Sequence, residues 1–379
     1  MGAFFQSKNW SHIDWVLLGA LVPILGAGLV TVSSFGVSLG AGLFGKQLIW
    51  ICISFLILFL ISLFDFRVFQ KTQILVALYL FSLVILVGLF IFGSTIKGAT
   101  SWYSFGSFSF QPADVVKVVL ILMLAKYFSR RHVEIANIKH IFISGLYALI
   151  PFALILLQPD FGTAVIVVLV WFGMALISGI NKKHLFLVIG AVIVAIIILW
   201  SFVFQPYQKD RLKTFLNPLS DIQGAGYNAY QSTIAVGSGQ LLGKGVGYGT
   251  QSRLQFLPEY ETDFVFAAFA EEWGFVGSTL ILLCYGIVIW RILRNASHGR
   301  GNFEILFGVG VAIMLMSHII INIGMNIGLL PVTGITLPFM SYGGSHLLAE
   351  FIAFGILMGM RRDARDAHPD DIKHEFLGY

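Results

Sequence analysis

Three acids, Glu259, Glu261 and Asp263, stand where a long polar stretch runs into a very apolar one, in QSRLQFLPEYETDFVFAAFAEEWGFVG, residues 251–277. Glu271 and Glu272 follow about two helical turns later. An ionised side chain is costly in hydrocarbon, so acids in such a place face a cavity or a partner. Asp263, Ala267 and Glu271 are spaced i, i+4, i+8 and share one helical face, and the alanines at 267, 268 and 270 leave room beside it. The pattern describes an acid at the mouth of a polar cleft. Desolvation would raise the Asp263 carboxyl toward neutrality and poise it as a general base. The competing reading is that Asp263 only caps the helix that follows. Residue physics leaves both open.

A second group lies far away in sequence. Asp114 and Lys117 follow Gln111-Pro112 at i, i+3 spacing, close enough to meet on one helix face. They read either as a self-satisfied ion pair or as a cation presented to a phosphate with Asp114 holding the ammonium. Asp160, in QPDFGT, is placed to cap a helix. Lys97, Lys209, Arg211, Lys213, Lys244 and Arg253 are basic residues able to draw in an anionic headgroup or anionic lipid. Ser341, in LPFMSYGGS, brings a hydroxyl next to a glycine turn, and Glu350 is a further acid in an apolar run. Trp102 belongs to an interfacial aromatic belt or a sugar-stacking platform. H-E-x-x-H, P-loop and C-x-x-C motifs are all missing, so zinc and nucleotide chemistry find no support. Cys52 and Cys284 sit singly in apolar runs and read as packing.

The elements that must position these groups are membrane helices. The 379 residues are 57% hydrophobic and 11% charged, and the mean hydropathy is +0.86. Runs of about 18 or more apolar residues read as spans. The expectation is an all-α polytopic membrane protein of ten transmembrane helices, roughly 13–33, 46–64, 73–93, 114–129, 141–157, 162–180, 184–204, 268–293, 303–328 and 343–361. It forms a single membrane domain over 1–379. A long extracytoplasmic loop, about 205–267, joins the seventh and eighth spans, and a tail of about 362–379 closes the chain. Most of the 24 Lys and Arg fall in alternate connections and both termini. That bias places both termini in the cytoplasm and the acid cluster outside. No cleavable signal peptide is expected. Within the loop, residues 226–243 suit a short interfacial helix, and the glycines from 237 to 249 suit a flexible, tightly turning segment.

The runs GKGVGYGTQSRLQFLPEYETDFVFAAFAEEWGFVG, QPADVVK, QPDFGT and LPFMSYGGS, together with the ten-span layout, resemble the SEDS family (shape, elongation, division, sporulation) over essentially the whole chain. The GTQS run and short N-terminus look like the elongation member rather than the division member. The resemblance implies a peptidoglycan glycosyltransferase of the bacterial inner membrane, polymerising lipid II on the outer face. Its implied partners are a class B penicillin-binding protein, the elongation machinery and the membrane, with no nucleic acid. Asp263 is implied as the essential acid, and Asp114 and Lys117 fall on the QPxE-x-x-K pattern, with Asp in place of the usual Glu. His346 stands where Ser is common. The further substrate-binding candidates are Lys97, Arg211, Lys244, Glu259, Asp160 and Ser341. Glu271, Glu272, Trp102 and Gln111 are expected to shape the cleft. A divalent cation, Mg or Mn, could share charge on the diphosphate, with no ligand set assigned. The alternative function is a lipid II flippase or transporter.

Overall fold

The computed structural model describes residues 13–34, 40–96, 99–106, 108–130, 138–204, 206–217, 225–254, 256–257 and 259–367. The long helices are α1 (Trp15–Ser33), α2 (Gly40–Ser62), α3 (Thr72–Phe92), α4 (Pro112–Ser129), α5 (Ile138–Leu157), α6 (Phe161–Ile177), α7 (Lys182–Ile198), α11 (Val265–Ser297), α12 (Asn302–Asn326) and α13 (Gly344–Ala367). Three shorter helices, α8 (Pro206–Leu216), α9 (Ala225–Ser238) and α10 (Thr250–Arg253), lie in the stretch between α7 and α11. Among the described residues, seven helices are long and apolar enough to cross a membrane.

Polar residues set the helix ends. Asp14 caps α1 by accepting from the Leu17 amide at 3.1 Å, and Asn181 does the same for α7 through the Lys183 amide. α4 begins with a proline at its first turn, where a missing N–H costs nothing. A small antiparallel sheet follows α3: β1 (Ser94–Ile96), β2 (Ala99–Phe105) and β3 (Phe108–Phe110), in that order. Strand pairing satisfies backbone groups beside the apolar bundle and brings Trp102 opposite Ser94.

Burial divides the helices by role. Most of α4 is buried, Asp114 and Lys117 included, between α3, α6 and α12. α7 is the opposite: Val188 is its one buried residue among those described, and Ile193, Ile196 and Ile197 are exposed. So much outward apolar surface suits lipid and would be an aggregation hazard in water.

α11 is interrupted at Gly274, at φ 65°, ψ −164°. A break inside an apolar helix strands backbone groups that need partners. Residues 240–245 supply them. The Lys244 and Gly245 amides donate to the carbonyls of Glu271 and Glu272, each at 3.0 Å, while the amides of Phe275 and Val276 donate to Gln240 and Leu241. The approach is so close that a side chain on Gly239 would collide with the Ala270 carbonyl, and one on Gly243 with that of Glu272. The expected turns are present, but the glycine segment is stitched to α11 rather than loose.

Candidate functional site

At the end of the bundle where α11 begins, a cleft of about 240 Å³ is lined by Asp263, Lys117, Asp114 and Asp160, together with Gln111, Trp102 and Arg211. The fold thus gathers residues from α4, α6, α8 and the β2 strand around the acid of the Glu-Thr-Asp-Phe run. Its wall also carries His318, His346 and Tyr342.

Asp263 is held by its backbone. Its amide donates to the Glu259 carbonyl at 3.0 Å, Glu259 itself standing at φ 54°. Its carbonyl accepts from Nδ2 of both Asn322 and Asn326, each at 3.0 Å. The preceding peptides are tied on the other side: the Ser341 hydroxyl donates to the Thr262 carbonyl at 2.6 Å, and the Tyr342 amide to that of Glu261 at 2.8 Å. The N-cap position of α11 is Phe264 rather than Asp263, so the capping alternative is not the arrangement the chain adopts. The carboxylate lies over Gly334, where an added Cβ would stand 3.6 Å from Oδ2.

Across the cleft, Lys117 Nζ contacts Asp114 Oδ1 at 2.9 Å and His318 Nε2 at 3.1 Å. Asp114 Oδ1 also faces His346 Nδ1 at 3.2 Å, and His346 Nε2 faces Glu350 Oε1 at 2.9 Å. Each His346 nitrogen therefore lies within ion-pair distance of a carboxylate, the Nε2 contact without hydrogen-bond alignment. Charges alternate along this buried row, Lys117, Asp114, His346, Glu350, which offsets the cost of desolvating each of them. Asp160 caps α6 through the Thr163 amide at 3.1 Å and accepts from Gln111 Nε2 at 2.8 Å. Burial pushes the Asp160 carboxyl above the usual range, opposed by the Thr163 hydrogen bonds.

Other sequence candidates are placed away from the cleft lining. Glu271 accepts from Lys244 Nζ at 2.8 Å and from the Thr250 and Gln251 amides. Glu272 accepts from the Gly247 amide at 2.9 Å. These two acids and Lys244 fasten the glycine segment. Ser341 acts on backbone, accepting from the Leu337 amide as well as donating to Thr262. The Glu259 carboxylate lies 3.4 Å from the Thr262 hydroxyl. Lys97 lies outside the described residues. Among the described residues no three carboxylate, imidazole or thiolate groups converge as a cation site.

The model of the cell cycle protein family of FtsW, RodA and SpoVE matches residues 10–366. The chain belongs to the FtsW/RodA/SpoVE family. It is 36% identical over 350 residues to the peptidoglycan glycosyltransferase MrdB of Escherichia coli K12, covering 92% of this chain and 93% of that one. It is 36% identical to stage V sporulation protein E of Bacillus subtilis, covering 84% and 87%. The crystal structure of Thermus thermophilus rod shape determining protein RodA superposes with a TM-score of 0.71 at 29% identity, covering 94% and 99%. A chain from a structure described as the coordination of polymerization and crosslinking by a peptidoglycan synthase complex superposes with a TM-score of 0.79 at 29% identity, covering 93% and 98%. Membership of this family and the apolar helices make the chain a bacterial membrane protein.

In this FtsW/RodA/SpoVE-family cleft, the residues that sequence reasoning passed over are on α12. His318, Asn322 and Asn326 recur at i, i+4, i+8 in a mostly apolar helix, so one polar stripe faces the site. His346 was noted only as a departure from the family pattern. Its place between Asp114 and Glu350 needed three dimensions, although Glu350 is one turn further along the same helix.

Proposed function

We propose that this protein is a peptidoglycan glycosyltransferase that polymerises lipid II into β-1,4 glycan strands during cell elongation. The observation that carries the reading is that Asp263 and Lys117, 146 positions apart by number, line one cleft. The relatives' names supply the reaction class. The donor sugar is α-linked to undecaprenyl diphosphate and the product is β-linked, so one inverting displacement suffices. Asp263 takes the proton of the acceptor 4-hydroxyl as its oxygen attacks the donor anomeric carbon. The bond from that carbon to the diphosphate oxygen breaks, and the electron pair leaves with undecaprenyl diphosphate. Lys117, with Arg211 on the same wall, stabilises the charge growing on the phosphate. Asp114 holds the ammonium, and Trp102 offers an aromatic face to a sugar.

In this reading all ten long helices span the membrane, both termini are cytoplasmic and the cleft opens on the outer face. The stretch between α7 and α11 is then extracytoplasmic. The partner is a class B penicillin-binding protein, consistent with the pairing of polymerization and crosslinking in the synthase-complex neighbour.

The test is lipid II polymerisation in detergent by the purified chain, alone and with its class B partner, beside Asp263→Ala and Asp263→Asn. Long strands from wild type and a loss on the order of a hundredfold or more in both variants are expected for a general base. Near-wild-type rate in either variant removes Asp263 from that role. Strands under no condition, with lipid II crossing liposome membranes instead, would put the transporter first.

A further inference from the structure

The Lys117 ammonium has three N–H donors. Asp114 Oδ1 takes one at 2.9 Å and His318 Nε2 a second at 3.1 Å. Among the described residues the third has no partner, and Lys117 lines the cleft. His318 receives that donor only if Nε2 carries a lone pair. Its other nitrogen, Nδ1, lies 3.4 Å from the Thr336 carbonyl, which accepts but cannot donate. The tautomer that satisfies both neighbours is the neutral ring protonated at Nδ1. The ring is also packed beside His346, their centroids 4.8 Å apart, and His346 is bonded in turn to the Asp114 carboxylate. His318 is buried, so its rotation is restricted and its acceptor is fixed in space.

We propose that His318 is a positioning residue. Acting as a neutral acceptor, it fixes the Lys117 ammonium so that one N–H is left for an anionic phosphate oxygen in the cleft. Asp114 alone cannot do this. A single carboxylate contact leaves an ammonium free to rotate and to swing on its four-carbon stem. Two acceptors of different kinds, one charged and one neutral, define the direction of the third donor. Because His318 is neutral, it does so without cancelling the positive charge of Lys117. A second carboxylate at the same place would make the site negative and repel a diphosphate. The inference rests on the proposed glycosyltransferase reading for the identity of the phosphate, but not for the geometry.

The experiment compares wild type, His318→Gln and His318→Leu. Glutamine offers the same pair of bonds, an amide oxygen toward Lys117 and an amide N–H toward Thr336. Leucine fills the space and offers neither. Two quantities are read in protein that elutes as a monodisperse species with wild-type melting behaviour: steady-state lipid II polymerisation, and binding of a fluorescent undecaprenyl diphosphate. The expected result is that His318→Gln stays within about threefold of wild type in both. His318→Leu should lose on the order of tenfold or more in kcat, as for a misplaced charge-stabilising donor, and bind the diphosphate more weakly. Leucine matching wild type in diphosphate binding overturns the proposal, as does glutamine falling as far as leucine. A wild type that makes no strands but binds the diphosphate, with leucine weakened and glutamine not, retires the polymerase reading and leaves the positioning role standing. A wild type that does not bind the diphosphate overturns both.

Discussion

The Asn326 side chain holds Asp263 in place without touching its carboxylate. Its Nδ2 donates to the Asp263 carbonyl at 3.0 Å while its Oδ1 accepts from the Ala267 amide at 3.0 Å. One amide thus spans the first turn of α11, satisfying a carbonyl before the helix and an amide inside it, and Asn322 adds a second donor to the same Asp263 carbonyl. The acid is placed through the backbone it grows from, and it lines the cleft.

Asn326→Ala should therefore lower polymerisation although residue 326 contributes no atom to the cleft lining. It leaves the buried Ala267 amide short of its partner, which costs about 1–3 kcal/mol. Asn326→Asp keeps the acceptor but replaces the donor, so it should fail at Asp263 while preserving the contact to Ala267. Melting temperature and lipid II turnover measured on both variants separate the two bonds. Equal activity in all three proteins would mean that the clamp does not set the acid.

Lys117→Ala should abolish strand formation and also destabilise the fold. Removing the ammonium leaves Asp114 and Glu350 in the interior with His346 as their shared cation, and breaking a buried ion pair costs about 3–5 kcal/mol. Lys117→Ala with Asp114→Asn should recover much of the stability and none of the activity. Thermal melts beside activity assays decide this. Recovered activity in the double variant would show that Lys117 serves the fold alone.

Gly243 and Gly237 make a matched pair for the stitched segment. Gly243 sits at φ 82° against the Glu272 carbonyl, whereas an added Cβ at Gly237 meets nothing within 4 Å. Gly237→Ala, inside α9, should be neutral or raise stability by up to about 1 kcal/mol. Gly243→Ala should lower it by more than that, since both φ and the close approach forbid a side chain. Melting temperatures of the two variants provide the check, and a stabilised Gly243→Ala would mean the segment does not pack against the α11 break.

At the end of the bundle opposite the cleft, Asp14 ties three helices together. It accepts from Arg291 Nε at 2.9 Å and Asn295 Nδ2 at 2.7 Å, and lies 3.5 Å from Arg361 Nη1. Burial acts to raise the Asp14 carboxyl, but hydrogen bonds from Arg291, Leu17 and Asn295 outweigh it and hold the group below its ordinary value. The stabilisation is then fully present above the unfolded carboxyl's pKa of about 3.9 and is lost as pH falls through the lower folded value. Wild type should lose melting temperature below about pH 4 more steeply than Asp14→Asn, which starts lower and stays flatter. Parallel curves for the two proteins would remove Asp14 from the acid response.

How far the sequence led depends on the kind of signal. Among the described residues, hydropathy located the seven helices that are long and apolar enough to cross a membrane, because an apolar run of span length has few other uses in water or lipid. The spacing of Asp114 and Lys117 yielded their ion pair, because i, i+3 neighbours meet on any helix. A short helix within 226–243 was legible from its amphipathic pattern; α9 covers Ala225–Ser238 and the last five residues of that range turn instead. The convergence of α4, α6 and α12 on Asp263 was not legible, since no local pattern states which faces of different helices meet. Glu271 and Lys244 illustrate the limit. Each read as a cleft or substrate residue because it was charged and in the right region, and the structure pairs them with one another. The strands at 94–110 were missed because segments this short carry too little periodicity.

The break at Gly274 alters what kind of object Asp263 stands on. The half-helix from Val265 to Trp273 is about 13 Å long at 1.5 Å per residue, and its far end is sewn to residues 240–245. The same segment also accepts from the amides of Phe275 and Val276 on the long inner half, so it splints the break from both sides rather than leaving a free hinge. The acid thereby shares its footing with a polar segment outside its own helix, as well as with the asparagines of α12.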